Sequence, residues 1–238
     1  ASGRFSTTDL RDLECLFLLA WIGFAAREDD PAVDALDAKG RGYSEDEKAT
    51  LLAVARRAAG AVIPYWRRLA ERGQVELATS PYYHPILPLL IDSDCARRAR
   101  PGDTLPPRFA HLDDARAQVQ LAQEAHVRAF GQPARGMWPP EGSLSPEAVA
   151  LYGSLGVHWL AGDEETLARS LAGMGHAEAI SRARTRSWDH QGVCLIFRDR
   201  DLSDRIGFRY SDLPAEHAVA DLLGEARARG HEDGHVGV

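Results

Sequence analysis

Apolar residues recur at steps of three and four from Leu10 through Leu13, Phe17 and Trp21 to Phe24, a spacing that predicts a helix burying one continuous face. Ser6, Thr7 and Thr8 stand before it as candidate caps. A second helix is predicted from the Ser44, Glu45, Asp46, Glu47 start through Leu51, Leu52, Val54 and Ala55 towards Arg72, interrupted near Pro64, which has no N–H to donate. Further helices are predicted over Asp113–Phe130, with Ala115, Val119, Ala122, Ala125 and Ala129 for one face, from Ser145 to Leu155, from Asp163 to about Gly173, and from Pro214 to Arg229.

Between the helices lie short β-like runs: Gln74–Thr79, Gly136–Trp138, Val157–Ala161 and Val193–Phe197. The first ends in a segment stiffened by Pro81, Pro85 and Pro88, expected to be a rigid loop. Strands separated by helices argue for parallel pairing through right-handed crossovers, and so for an α/β fold, either a barrel or a doubly wound sheet. His84, Glu141, Asp163 and Asp199 each follow a strand-like run, which in a βα barrel is the rim that carries active sites.

Composition narrows the function classes. The 28 Lys and Arg stand against 35 Asp and Glu, a net charge of -7 with no basic run, so nucleic acid is not an expected partner. Three scattered cysteines, Cys15, Cys95 and Cys194, suggest neither a disulfide framework nor a cysteine metal site, and point to a reducing, cytoplasmic setting. The longest apolar stretch, Cys15–Ala26, is too short to span a bilayer, so no membrane is expected.

Glu141 is the sharpest chemical candidate. Pro139 and Pro140 precede it, Gly142 and Ser143 follow, and Trp138 stands beside it. A carboxylate held by prolines next to a flat aromatic face suits sugar chemistry, where the carboxylate attacks or protonates and the aromatic carries the apolar face of a pyranose. Glu141 is equally placed to be a solvated residue ahead of the helix at Ser145. His84, with Tyr82 and Tyr83, is either a donor to a sugar hydroxyl or a structural hydrogen-bonder. Asp163 either lines a site or caps the helix that follows. Asp199, among Arg198, Arg200 and Arg205, belongs either to a salt-bridge network or to a set of substrate contacts. His231 and His235 match a His-Glu-x-x-His zinc signature, but Gly230 and Gly234 break the helix that would place the two imidazoles together, so no metal site is expected there.

Four ordered blocks carry a resemblance: Gly-Gln-Val-Glu-Leu-Ala-Thr-Ser-Pro-Tyr-Tyr-His-Pro-Ile-Leu-Pro-Leu-Leu at 73–90, Gly-Met-Trp-Pro-Pro-Glu-Gly-Ser-Leu-Ser at 136–145, Trp-Leu-Ala-Gly-Asp-Glu at 159–164, and Phe-Arg-Asp-Arg-Asp-Leu-Ser-Asp-Arg-Ile-Gly-Phe at 197–208. In these the chain resembles glycoside hydrolase family 57, the retaining α-glucan hydrolases and transferases that include α-amylases, amylopullulanases and branching enzymes. The resemblance implies an incomplete seven-stranded (β/α) TIM-like barrel, of which 1–238 is a partial catalytic domain. It implies Glu141 as the catalytic nucleophile, His84, Tyr83, Trp138, Asp163 and Asp199 as substrate contacts, an α-glucan as partner, and no cofactor or metal. The family's opening His-Gln-Pro block has no counterpart before Arg4. Its acid/base Asp, in a block of the form Leu-Asp-Gly-Glu-Asn, is expected after a segment like His235–Val238, so no residue here takes that role and the 238-residue chain is expected to be nearly inactive. A non-catalytic carbohydrate-binding barrel is the alternative, and a metal-dependent polysaccharide deacetylase a further one.

Overall fold

Ser6 opens the first helix, α1 (Thr7–Trp21), through a reciprocal cap in which its hydroxyl accepts from the Asp9 amide while the Asp9 carboxylate accepts from the Ser6 amide. In the computed structural model, which describes residues 5–177 and 185–229, the chain forms two compact units, Ala1–Val75 and Glu76–Val238.

The first unit is helical: α1, α2 (Phe24–Asp29), α3 (Pro31–Lys39) and α4 (Glu45–Glu71). Its core joins Cys15, Leu19 and Ile22 of the α1 segment to Val33, Leu36, Tyr43, Leu51 and Val54. The face buried is therefore not the one the three-and-four spacing suggested. Leu13, Phe17 and Trp21 are 61%, 62% and 78% exposed, and Phe24 is exposed as well. Periodicity shows that α1 has an apolar stripe, but α3 and α4 pack on the narrower face a few residues round the helix. Asp12 locks that arrangement by accepting from the amides of Gly42 and Tyr43, each at 2.8 Å, where Gly40 and Gly42 turn the chain with positive φ.

Pro64 does not interrupt α4, which runs through it for 27 residues. The carbonyl that loses its donor, and that the ring crowds, belongs to Gly60, an exposed residue, so the carbonyl is not left buried without a partner.

The second unit is built on a four-stranded sheet of order β1-β2-β4-β3, with β1 (Gly136–Met137), β2 (Trp159–Asp163) and β4 (Val193–Arg198) parallel and β3 (Trp188–His190) antiparallel at the edge. The β3–β4 turn is Gln191–Gly192, both with positive φ, the pairing that a two-residue hairpin of matching twist requires. The run Gln74–Thr79, expected as a strand, contributes one bridge, Thr79 to Met137. The proline-rich segment after it, expected as a rigid loop, turns into a short helix, α5 (Leu87–Ile91), because Pro88 sits in the first turn, where no amide donor is needed.

Against the sheet lie α7 (Leu112–Phe130), contributing Ala115, Val119 and Ala122, and α8 (Pro146–Ser154), contributing Ala148, Val149, Leu151 and Tyr152 to a core with Leu87, Met137, Leu160 and Val193. His126, not marked by the apolar pattern, is also buried on α7, with Nδ1 2.7 Å from the Gln132 carbonyl oxygen. A smaller cluster joins Leu167 and Leu171 of α9 (Glu164–Gly173) to Phe197. The short α6 (Ala96–Ala99) and α10 (Arg200–Asp204) and the closing α11 (Ala215–Arg229) complete the described α-helices. Cys15, Cys95 and Cys194 are free thiols, and no helix among the described residues is long and apolar enough to cross a membrane. The parallel pairing and helical crossovers are an α/β arrangement, as the sequence alternation predicts. The His231–His235 motif lies outside the described residues.

Candidate active site

Parallel register brings the C-terminal ends of β1, β2 and β4 side by side, with Met137 opposite Leu160 and Asp163 opposite Arg198. The loops that follow open onto one cleft of about 890 Å³, into which His84, Trp138, Glu141, Asp163, Arg198 and Arg200 contribute. That volume suits a small molecule or a short run of sugar rings.

Trp138 and Glu141 are set by the segment after β1. The Trp138 amide donates to the Thr79 carbonyl at 2.8 Å, and the Ser80 hydroxyl donates to the Trp138 carbonyl at 2.8 Å, so the bridge at Thr79 fixes the start of the loop. Pro139 and Pro140 are buried, and their carbonyls accept from Gly142 and Ser143 to form a tight turn. At its apex Glu141 is exposed with φ 57°, and Gly142 follows at φ 62°. His84, which also lines the cleft, has φ 57° as well, its amide donating to the Pro81 carbonyl. Gln191, in the hairpin turn, is the other non-glycine residue with positive φ among those described. Left-handed backbone at two large polar residues costs roughly 1–2 kcal/mol each, and such strain concentrates where a side chain has a task.

The other candidates are placed differently. Tyr83 is exposed beside the cleft, edge-on to Tyr82, and its amide donates to Gln118. Asp163 ends β2 nearly buried. Its Oδ1 accepts from the Glu165 amide at 2.9 Å, and its Oδ2 accepts from Arg198 at 2.7 Å, with Arg200 at 3.3 Å from Oδ1. Burial pushes the Asp163 carboxyl up, but the Glu165 amide, Arg198 and the Arg200 charge together outweigh it and hold the group below its ordinary value. Asp199 is buried, caps α10 through the Leu202 amide and is paired with Arg229 at 3.3 Å. Its acidic neighbour Asp201 holds Arg205 and Arg229, so the cluster around it is a salt-bridge network joining α10 to α11.

Residues passed over in the sequence also line the cleft, above all Arg98 and Arg169. The one signal for Arg98 was the polar, arginine-rich stretch after residue 96. Arg98 makes a two-pronged pair with Glu147 at 2.6 and 2.8 Å, tying α6 to the first turn of α8, and its guanidinium holds the Glu147 carboxyl down to about 2. A carboxyl depressed in the folded state stabilises above its ordinary value near 4.5 and ceases to do so as pH falls to about 2. Acid titration of the urea midpoint should therefore show a loss across that window that is shallower in Arg98→Ala. The difference should stay below about 1 kcal/mol, because both side chains are half-exposed. Among the described residues no group of three or more His, Cys, Asp or Glu side chains is placed to hold a metal ion.

The family model described as glycosyl hydrolase family 57 matches residues 4–237. Alpha-amylase 1 of Dictyoglomus thermophilum is 26% identical over 96 residues, 40% of this chain and 11% of that protein. Among solved structures, the GH57-type branching enzyme of Pyrococcus horikoshii is similar with 16% identity and a TM-score of 0.49 over 83% of this chain and 34% of its own. The alpha-amylase AmyC of Thermotoga maritima gives 16%, 0.48, 84% and 35%, and the 4-alpha-glucanotransferase of Thermococcus litoralis 19%, 0.45, 72% and 23%. The chain thus spans about a third or less of the length of these proteins.

Proposed function

Since the chain belongs to glycosyl hydrolase family 57, we propose that it carries the nucleophile half of a retaining α-glucan hydrolase or transferase site, with Glu141 as the nucleophile. The observation that supports this most is the left-handed Glu141 at the apex of a proline-braced turn, opening onto a cleft at the C-terminal end of three parallel strands. Trp138 and His84 share that cleft as a sugar platform and a hydroxyl partner. The sheet is read as part of the family's incomplete barrel.

In a retaining reaction one carboxylate attacks the anomeric carbon while a second carboxyl, about 5–5.5 Å away, protonates the departing oxygen and later activates water or an acceptor sugar. Glu141 takes the first task, and no described residue is assigned the second. Asp163 is engaged by two arginines and a backbone amide, and Asp199 by Arg229 and a helix cap. A leaving group that needs a proton should therefore depart slowly, by roughly 10²–10⁴-fold, unless an acid is supplied from elsewhere in the protein.

A leaving group that needs no proton separates the two halves. With 5-fluoro-α-D-glucosyl fluoride, a Glu141 carboxylate oxygen bonds to the anomeric carbon, the C–F bond breaks and fluoride leaves. Intact-mass analysis should show one glycosyl adduct per chain, and peptide mapping should place it on Glu141. Binding of malto-oligosaccharide without any adduct would favour the non-catalytic carbohydrate-binding alternative, and an adduct on another carboxylate would reassign the nucleophile.

A further inference from the structure

Glu141 and Gly142 form two successive left-handed steps in a turn whose only exposed residue is Glu141, a conformation that its surroundings must impose. The prolines brace one side. On the other, Gly142 is packed so closely on the end of β2 that a Cβ there would lie 3.1 Å from both the amide nitrogen and the Cβ of Asp163. Asp163 is itself fixed from several directions. It pairs with Arg198 across the sheet, accepts from the Glu165 amide, and engages Arg198 and Arg200 through its carboxylate, with a side chain only 12% exposed. A group so fully engaged has little left to offer a sugar hydroxyl, yet it lies directly behind the residue that follows Glu141.

We propose that Asp163 is a positioning residue: clamped by Arg198 and Arg200, it is the surface against which Gly142 seats, and this contact holds Glu141 in its attacking geometry. The proposal rests on the reading of Glu141 as nucleophile only for its kinetic consequence. The contact itself stands on the geometry. A sugar-binding Asp163 and a positioning Asp163 also predict different kinetics. Loss of a sugar contact weakens binding, whereas loss of seating slows attack at unchanged binding, since misplacing a reacting atom by about an ångström costs up to roughly 10²-fold in rate.

The test uses the full chain and three variants. Asp163→Asn keeps the shape and weakens the arginine clamp, Asp163→Ala keeps the amide and Cβ that face Gly142 but frees them from the clamp altogether, and Gly142→Ala forces the same contact from the other side. Hydrogen exchange of the peptide spanning 138–145 should quicken by roughly tenfold or more in Asp163→Ala and in Gly142→Ala, with the α7 peptide unchanged, and by less in Asp163→Asn. For labelling by 5-fluoro-α-D-glucosyl fluoride, the maximal rate should fall by roughly 10–10²-fold in Asp163→Ala and Gly142→Ala, while the half-saturating concentration moves less than about twofold. The double variant should be no worse than the worse single one, because both break one contact.

Unchanged exchange at 138–145 in Asp163→Ala overturns the proposal, as does a weaker half-saturation with an unaltered maximal rate. Should Asp163→Ala fail to fold, Gly142→Ala and Asp163→Asn decide by the same criteria. If the unmodified chain takes no adduct at Glu141, the reading of the nucleophile fails, and the exchange measurement still decides whether Asp163 seats the turn.

Discussion

Glu141→Gln is expected to abolish adduct formation with 5-fluoro-α-D-glucosyl fluoride and to lower turnover of activated α-glucosides by about 10⁴-fold or more. Removing a covalent nucleophile leaves only binding and the residual electrostatics of the site. Glutamine keeps the size and polarity of the side chain but not the charge that attacks the anomeric carbon. A merely solvated Glu141 would tolerate the change, so activity within tenfold of the unmodified chain sinks the assignment. Glu141→Gly separates chemistry from folding. Gly adopts φ 57° without the penalty an L side chain meets, so this variant should unfold no earlier than the unmodified chain while being equally inactive. A variant that loses all function and no stability is the mark of a residue retained for chemistry.

The second large effect is on stability. Gly136→Ala should destabilise the chain by about 1–3 kcal/mol, because an added Cβ would lie 1.8 Å from Cε2 of the Trp159 ring. The indole cannot step aside without loss: its Nε1–H donates to the Glu76 carboxylate at 2.6 Å, a charge-assisted bond of roughly 1.5–3 kcal/mol. Both residues belong to the β1–β2 pair, where Gly136 lies opposite Trp159, so displacing the ring also disturbs the pairing that aims the Glu141 turn. Urea unfolding should detect the loss, and a fall of less than 1 kcal/mol would show that the ring is not held. Adding Trp159→Leu to Gly136→Ala should recover part of it by making room, a coupling that independent sites would not show.

How far the sequence reaches can be judged residue by residue. The four longer helices of the second unit, α7, α8, α9 and α11, and three of the expected strands are legible because alternation between short apolar runs and amphipathic stretches is a local signal. The buried face of α1 is not, since both of its sides are apolar and only the packing of α3 and α4 chooses between them. Gln74–Thr79 has a strand's composition, but pairing is a property of partners, and it finds one only at Thr79. The short strand Trp188–His190 carries no periodicity of its own and is created by the Gln191–Gly192 turn beside β4.

For the site, the residue types around Glu141 announce a fixed carboxylate, and the structure brings it into one cleft with Trp138 and His84. The left-handed backbone of Glu141 and His84 is invisible in sequence, because no residue type there demands it. Asp163 and Asp199 read as site residues from their place after strands. Whether such a carboxylate faces a substrate or an arginine depends on what the neighbouring elements present, Arg198 of β4 for Asp163 and Arg229 of α11 for Asp199.

The β3 hairpin also decides how the sheet meets other chains. It occupies the outer side of β4 from Val193 to Leu195, leaving Ile196–Arg198 as the uncovered run on that side among the described residues, and the last of these holds an ion pair with Asp163. The opposite border is β1, two residues long and already bridged to Thr79. Long, flat, uncharged borders template strand addition by a second molecule, and short, charged or covered ones resist it. Among the described residues a foreign strand would find no more than three consecutive residues to extend along, on the outer side of β3 or at the uncovered end of β4.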